Sequence, residues 1–233
     1  MKNTVNVYES RVKVFLLQEI PLNLLQSSIT DFIDSAMGEE EAFLRLHETN
    51  CFKGYSLSLF YPVEKDKLYK KEGIYTITIR TVDIKLARFF SETLNNHNTP
   101  YMKGLTVENR VIPKKIIGEL YSLTPVVIKN KGYWKNVIAL KEYERRLFEN
   151  AVKKYNQFTE SKIDEDFQLY TNIEFLNKKP AGVQYKGIKL LGDKINLKIA
   201  DNPRAQELAY FLLGAGLCEM NSRGFGFCNY RWI

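Results

Sequence analysis

Sulfur and metal chemistry have little to work with in this chain. Its 233 residues hold three cysteines, Cys51, Cys218 and Cys228, and two histidines, His47 and His97. An odd cysteine count without a CxxC pair argues against a disulfide framework or a zinc knuckle and points to a reducing compartment. There is no HExxH motif and no histidine-rich cluster, and the acidic run at residues 39–41 reads as a solvated helix start. No metal or other cofactor is therefore expected. No glycine loop ends in Gly-Lys followed by Ser or Thr, which excludes a Walker-type phosphate site. Long apolar runs are also missing. LAYFLLGAGL falls far short of a membrane span, and the opening MKNTVNVYESRVKVF lacks an uninterrupted apolar stretch. A soluble, cytoplasmic protein without a membrane partner is the expectation.

What the chain does have is a real core and a basic surface. Hydrophobic residues make up 45%, and 34 Lys and Arg against 27 Asp and Glu give a net charge of +7. Such a balance makes polyanions natural partners, although many soluble proteins carry as much charge without binding nucleic acid.

The periodicities predict two copies of one topology. Residues 11–18 alternate as a strand, and Pro21 opens a helix with Leu22, Leu25, Ile29, Phe32, Ile33 and Ala36 on one stripe. A short helical turn carries Phe43 and Leu46, followed by the polar, irregular segment LHETNCFKG at 46–54. Strands at 55–61 and 74–80, a helix capped by Asp83, and a strand at 102–112 complete the β-α-β-β-α-β order. The second half repeats it, with a strand at 120–129 whose Pro125 suggests a sheet edge. A helix at 140–158 follows, then strands at 166–176, 183–191 and 194–200, the last two joined by a turn at Gly192 and Asp193. Pro203 then starts a helix over 204–213. The fold class is α+β, two tandem ferredoxin-like (RRM-like) domains at 1–115 and 116–233.

The final twenty residues are the most unusual. Gly214, Gly216, Gly224 and Gly226 bracket Asn221, Ser222 and Arg223, which predicts an unburied loop whose amides could approach an anion, with Arg223 at its centre. The octet RGFGFCNY nearly spells the RNA-stacking strand of an RRM, but it reads better as a loop running into a terminal strand. Elsewhere, Lys186, Lys189 and Lys194 beside Tyr185 could lay a basic hairpin along RNA, or form a merely solvated edge. His47, with Lys53 six residues on, pairs a proton-transfer group with a charge stabiliser for a phosphate. On spacing alone, a half-buried or surface histidine beside Glu48 is the favoured reading.

Two segments together carry a resemblance. GAGLCEMNSRGFGFCNY, with its Asn-Ser-x-Gly-Phe-Gly core at 221–226, resembles the C-terminal glycine-rich loop of the CRISPR-associated repeat-RNA endoribonucleases, the Cas-six family. LHETNCFKGYSLS resembles that family's active-site segment. The resemblance implies an endoribonuclease that cuts CRISPR repeat RNA without metal, with His47 as general base or acid and Lys53 as transition-state stabiliser. It further implies that Gly214, Gly216, Asn221, Ser222, Arg223, Gly224 and Gly226 hold the RNA backbone. Products would carry 2′,3′-cyclic phosphate and 5′-hydroxyl ends. Where some members have a tyrosine on the first helix, this chain offers Ser27, Ser28 and Thr30 as hydroxyls, and Phe32. The alternative is a non-catalytic RNA-binding subunit of a CRISPR ribonucleoprotein. Other CRISPR effector subunits are further candidate partners, and the chain would be a monomer or homodimer.

Overall fold

Alternation sets the first strand. β1 (Tyr8–Leu16) turns Val12, Val14 and Leu16 into the core and leaves Arg11 and Lys13 in solvent. The structure is a computed structural model that describes residues 5–49, 51–129, 132–185 and 187–233, and for His47 and Glu48 the backbone alone. The chain continues through β2 (Ile20–Pro21) into α1 (Leu22–Met37), which packs Leu25, Ile29, Phe32, Ile33 and Ala36 against the sheet. The next helix, α2 (Glu41–Glu48), runs further than the sequence suggests. An Arg45–Glu41 ion pair one turn apart supports it. At its end the Thr49 hydroxyl donates to the Arg45 carbonyl at 2.7 Å, closing the helix where an irregular segment was expected. His47 thus lies in the last turn of a helix.

After β3 (Tyr55–Leu57), β4 (Leu68–Tyr69) and β5 (Ile74–Thr81), the Asp83 carboxylate accepts from the Lys85 amide at 2.8 Å and starts α3 (Ile84–Thr93), as expected. β6 (Met102–Val111) completes an antiparallel sheet ordered β3-β5-β1-β6. That is the ferredoxin-like order, with its helices on one face.

The second half comprises β7 (Ile117–Ser122), α4 (Leu140–Thr159), β8 (Tyr170–Phe175), β9 (Ala181–Tyr185), β10 (Ile188–Gly192), β11 (Ile195–Ile199), α5 (Pro203–Ala215) and β12 (Cys228–Trp232). Its sheet runs β12-β7-β11-β8, the same order again, with β9 and β10 as an inserted hairpin. The chain therefore has the α+β fold of two ferredoxin-like units in tandem. Two sequence expectations are corrected. β7 is an interior strand, because it ends at Ser122 and Pro125 falls beyond it, where it removes no ladder bond. The hairpin turn includes Gly187, since Tyr185 pairs with Ile188, and is not at Gly192 and Asp193. Asp193 is fully buried, and its carboxylate accepts from the Tyr133 hydroxyl, from the Trp134 indole at 2.6 Å and from Asn177 at 2.7 Å. A buried carboxylate needs such donors, and here they fix the crossing from β10 to β11.

Away from the glycine-rich tail, buried polar contacts also join the halves. The Tyr210 hydroxyl on α5 donates to the Ile112 carbonyl at 2.6 Å and accepts from the Val7 amide at 3.1 Å, and Val5, Val7, Val82 and Ile112 join the second core. Arg80 on β5 donates to Glu9 at 2.8 Å and to the Cys228 carbonyl at 2.6 Å, with its guanidinium over the Phe227 ring. Arg110 also binds Glu9, at 2.8 Å. Burial by itself would raise the Glu9 pKa, but Arg80 and Arg110 outweigh it and hold the group below its ordinary 4.5. A glutamate held low in the folded state adds stability above its ordinary pKa that is lost as pH falls through the lowered value. Glu9→Gln should therefore cost about 3 kcal/mol at neutral pH and flatten the fall in stability on acidification below 4.5. Urea unfolding across pH would show it, and wild-type and variant curves that fall in parallel would rule it out.

Candidate functional site

A cavity of about 650 Å³ opens where the two halves meet. Its walls come from the segment between α2 and β3, from one side of α4, from Tyr185 at the end of β9, and from residues 218–223. Lys53, Lys129, Lys153, Lys154 and Arg223 line it, against Glu219 as the carboxylate among the described lining residues. A concave surface with this excess of cations attracts phosphate.

Lys53 folds back on the helix before it. Its ammonium donates to the carbonyls of Leu46, in the last turn of α2, and of Thr49 just beyond it, where the negative end of the helix dipole favours a cation. Burial lowers the Lys53 pKa, and the Arg223 cation lowers it further, while Cys51 and Asp34 act the other way. Leu46 is the residue before His47. The structure thus ties Lys53 to the helical turn that bears His47, whose side chain lies outside the described residues.

Residues 214–226 contradict the expectation of an unburied loop. Gly214, Gly216, Asn221, Gly224 and Gly226 are all buried. Gly214 belongs to the end of α5, and its carbonyl accepts from the Ser56 hydroxyl at 3.0 Å. The amides of Gly216, Gly224 and Gly226 donate to the carbonyls of Leu212, Asn221 and Pro125, so they turn into the protein. Close approach is why these positions are glycine. A Cβ at Gly226, where φ is +61°, would stand 2.0 Å from the Leu217 carbonyl oxygen, and one at Gly216 2.5 Å from Asn221 Nδ2. The side chain of Asn221 also points inward, donating to the carbonyls of Leu217 at 2.9 Å and Phe225 at 3.1 Å.

Ser222 and Arg223 remain on the cavity wall. Arg223 is held from α1. Gln26 donates to its carbonyl, and Asp34 pairs with its guanidinium, both charged groups being mostly shielded from water. Burial alone would lower the Arg223 pKa, but Asp34 outweighs it and raises the value. Tyr55 lies behind the loop with its hydroxyl 3.6 Å from Met37 Sδ, and burial pushes its pKa far up.

The cavity therefore gathers Lys53, Asn221, Ser222 and Arg223 from the sequence-predicted set. Lys189 and Lys194 are exposed and lie outside it, on β10 and just before β11, while Lys186 lies outside the described residues. Lys129, Lys153, Lys154, Gln26 and Asp34 escaped sequence reasoning. Lys154 left a trace, because it sits beside Ala151 and Tyr155 of the apolar stripe of α4, where a lysine is out of place unless it has partners. Phe32 is core, and His97 is buried between Ser35 at 2.7 Å and Glu39 at 3.1 Å.

The family model for CRISPR associated protein Cas6, C-terminal, matches residues 105–230, more than half of the chain. The chain belongs to the Cas6 family. Solved structures agree on the fold. One described as CRISPR associated protein Cas6 superposes with a TM-score of 0.70 at 19% identity, covering 97% of this chain and 99% of the other. A RAMP protein binding different RNA substrates gives 0.72 at 17%, with 96% and 99% covered. A Cas6-related protein from Pyrococcus furiosus gives 0.70 at 17%, with 97% and 98% covered. No curated protein sequence matches. In this Cas6-family chain, Gly226→Ala should destabilise by about 2 kcal/mol or more, since positive φ and overpacking each cost about 1 kcal/mol or more. Urea unfolding tests this, and a loss under about 0.5 kcal/mol, the range of a neutral surface change, would contradict the packing account.

Proposed function

We propose that this chain is an endoribonuclease that cuts CRISPR repeat RNA into guide RNAs by attack of the ribose 2′-hydroxyl on the adjacent phosphorus. The observation that carries the reading is Lys53, bound to the helical turn of His47, facing one cavity with Ser222 and Arg223. RNA supplies its own nucleophile, so the protein needs to move protons, align the attack and stabilise charge. His47 takes the 2′-hydroxyl proton or donates one to the departing 5′-oxygen, with water completing the exchange. As the new P–O bond forms and the P–O5′ bond breaks, negative charge builds on the phosphoryl oxygens, and Lys53 offsets it. The products are a 2′,3′-cyclic phosphate and a 5′-hydroxyl, and no step calls for a metal.

Ser222 and Arg223 hold the RNA backbone on the facing wall, with Lys129 and Lys153 extending the cationic track. The glycines act through shape, allowing the chain to fold tightly enough to present those two side chains. Lys189 and Lys194, with Lys186, form a second basic contact along the inserted hairpin.

The test is incubation of the purified protein with a CRISPR repeat transcript in EDTA, followed by analysis of the termini. Wild type should leave cyclic phosphate ends, while His47→Ala and Lys53→Ala should each lower single-turnover cleavage at least about 100-fold with RNA affinity retained within about threefold. If His47→Ala cuts as fast as wild type, its role is wrong. If wild type binds RNA tightly and returns it intact, the chain is a non-catalytic RNA-binding subunit.

A further inference from the structure

Lys154 is 7% exposed although it is a lysine on the middle of a helix. Its ammonium donates to the Gly216 carbonyl at 3.0 Å, to Asn221 Oδ1 at 2.6 Å and to the Cys218 carbonyl. An ammonium has three N–H donors, and all three are engaged here. Lys154 borders the cavity, yet it has no donor to offer a ligand without giving up part of the loop. Asn221 extends the brace, since its Nδ2 binds the carbonyls of Leu217 and Phe225. One lysine and one asparagine thus tie together the segment from Gly216 to Phe225. The residues immediately after Asn221 are Ser222 and Arg223, the loop's side chains on the cavity wall.

We propose that Lys154 is a positioning residue for RNA binding: it holds residues 216–226 in the shape that presents Ser222 and Arg223 to the RNA backbone, and does not touch the RNA itself. This rests on the RNA-binding reading above. The electrostatics of the brace and a second grip on the loop accord with it. Burial pushes the Lys154 pKa down to about 8, against the opposing influence of the Glu219 carboxylate. The Cys218 and Cys228 thiols are pushed up to about 12 by burial, and stay neutral beside it. The α1 side independently grips the same loop through Gln26 and Asp34, so that the Lys154 brace sets the loop's inner shape while α1 sets its outer face.

The experiment compares wild type, Lys154→Met, Asn221→Ala and the double variant, using a transcript of a CRISPR repeat from the same genome at fixed salt. Binding is titrated directly, and single-turnover cleavage is measured at saturating RNA. Each single variant should bind about tenfold more weakly, equivalent to about 1.4 kcal/mol, while the rate at saturation stays within about threefold. The double variant should bind no more weakly than the worse single, because both changes release one brace. Lys154→Gln, which retains a donor, replaces the methionine variant if that one fails to fold by circular dichroism. Wild-type affinity in the Lys154 variant, strictly additive losses, or a loss confined to the rate at saturation would each overturn the proposal. Wild type that binds no repeat RNA would instead overturn the functional reading, and this inference with it.

Discussion

A single buried ammonium and its three acceptors shape the segment of the second half that meets the first. Lys154 reaches from α4 into the glycine-rich segment, and that segment in turn lies against α1 and β3 of the first half. Burying a cation of this kind is tolerable only because every donor is engaged, and a satisfied polar cluster enforces one geometry where an apolar contact would allow several. The cavity opens beside this joint. Its cations come from elements far apart in the chain: Lys53 before β3, Lys153 on α4, and Arg223 after α5.

The glycine-rich segment therefore has a different job from the one its composition suggests. Glycines beside an arginine invite the picture of open amides around an anion, but here Gly216, Gly224 and Gly226 turn their amides inward. Their lack of a side chain lets carbonyl oxygens and the Asn221 amide come within distances that a Cβ would forbid. The electrostatic character of the site comes from side chains, Arg223 on this turn and Lys53, Lys129 and Lys153 on other segments. Asp34 beside Arg223 keeps that arginine oriented along α1.

A second rigid contact, remote from the cavity, links the sheets. Glu9 receives Arg80 and Arg110, and Arg80 continues to the Cys228 carbonyl on β12. Charges buried at such a seam add orientation more dependably than they add stability, because desolvation offsets much of their attraction. Together with the Tyr210 hydroxyl bridging Val7 and Ile112, they limit how the ferredoxin-like units can turn relative to one another.

Local pattern was enough for much of this molecule. The alternation of β1, the apolar stripe of α1, the Asp83 cap and the repeated β-α-β-β-α-β order follow from periodicity and capping, because each depends on residues a few positions apart. The tail and the segment around His47 and Lys53 stand out in the same way, since rare residue combinations are visible without a fold. Tertiary structure alone decided the rest. It placed the hairpin turn at Gly187 and made Gly192 and Asp193 a crossing, because the buried Asp193 takes its donors from Tyr133 and Trp134 almost sixty residues earlier. It buried the glycine segment, and it assigned Lys154, Gln26 and Asp34 to hold it, through contacts between residues 62 to 197 positions apart. Periodicity records which face of an element is apolar; which polar group from another element will meet it is set only when the chain closes on itself.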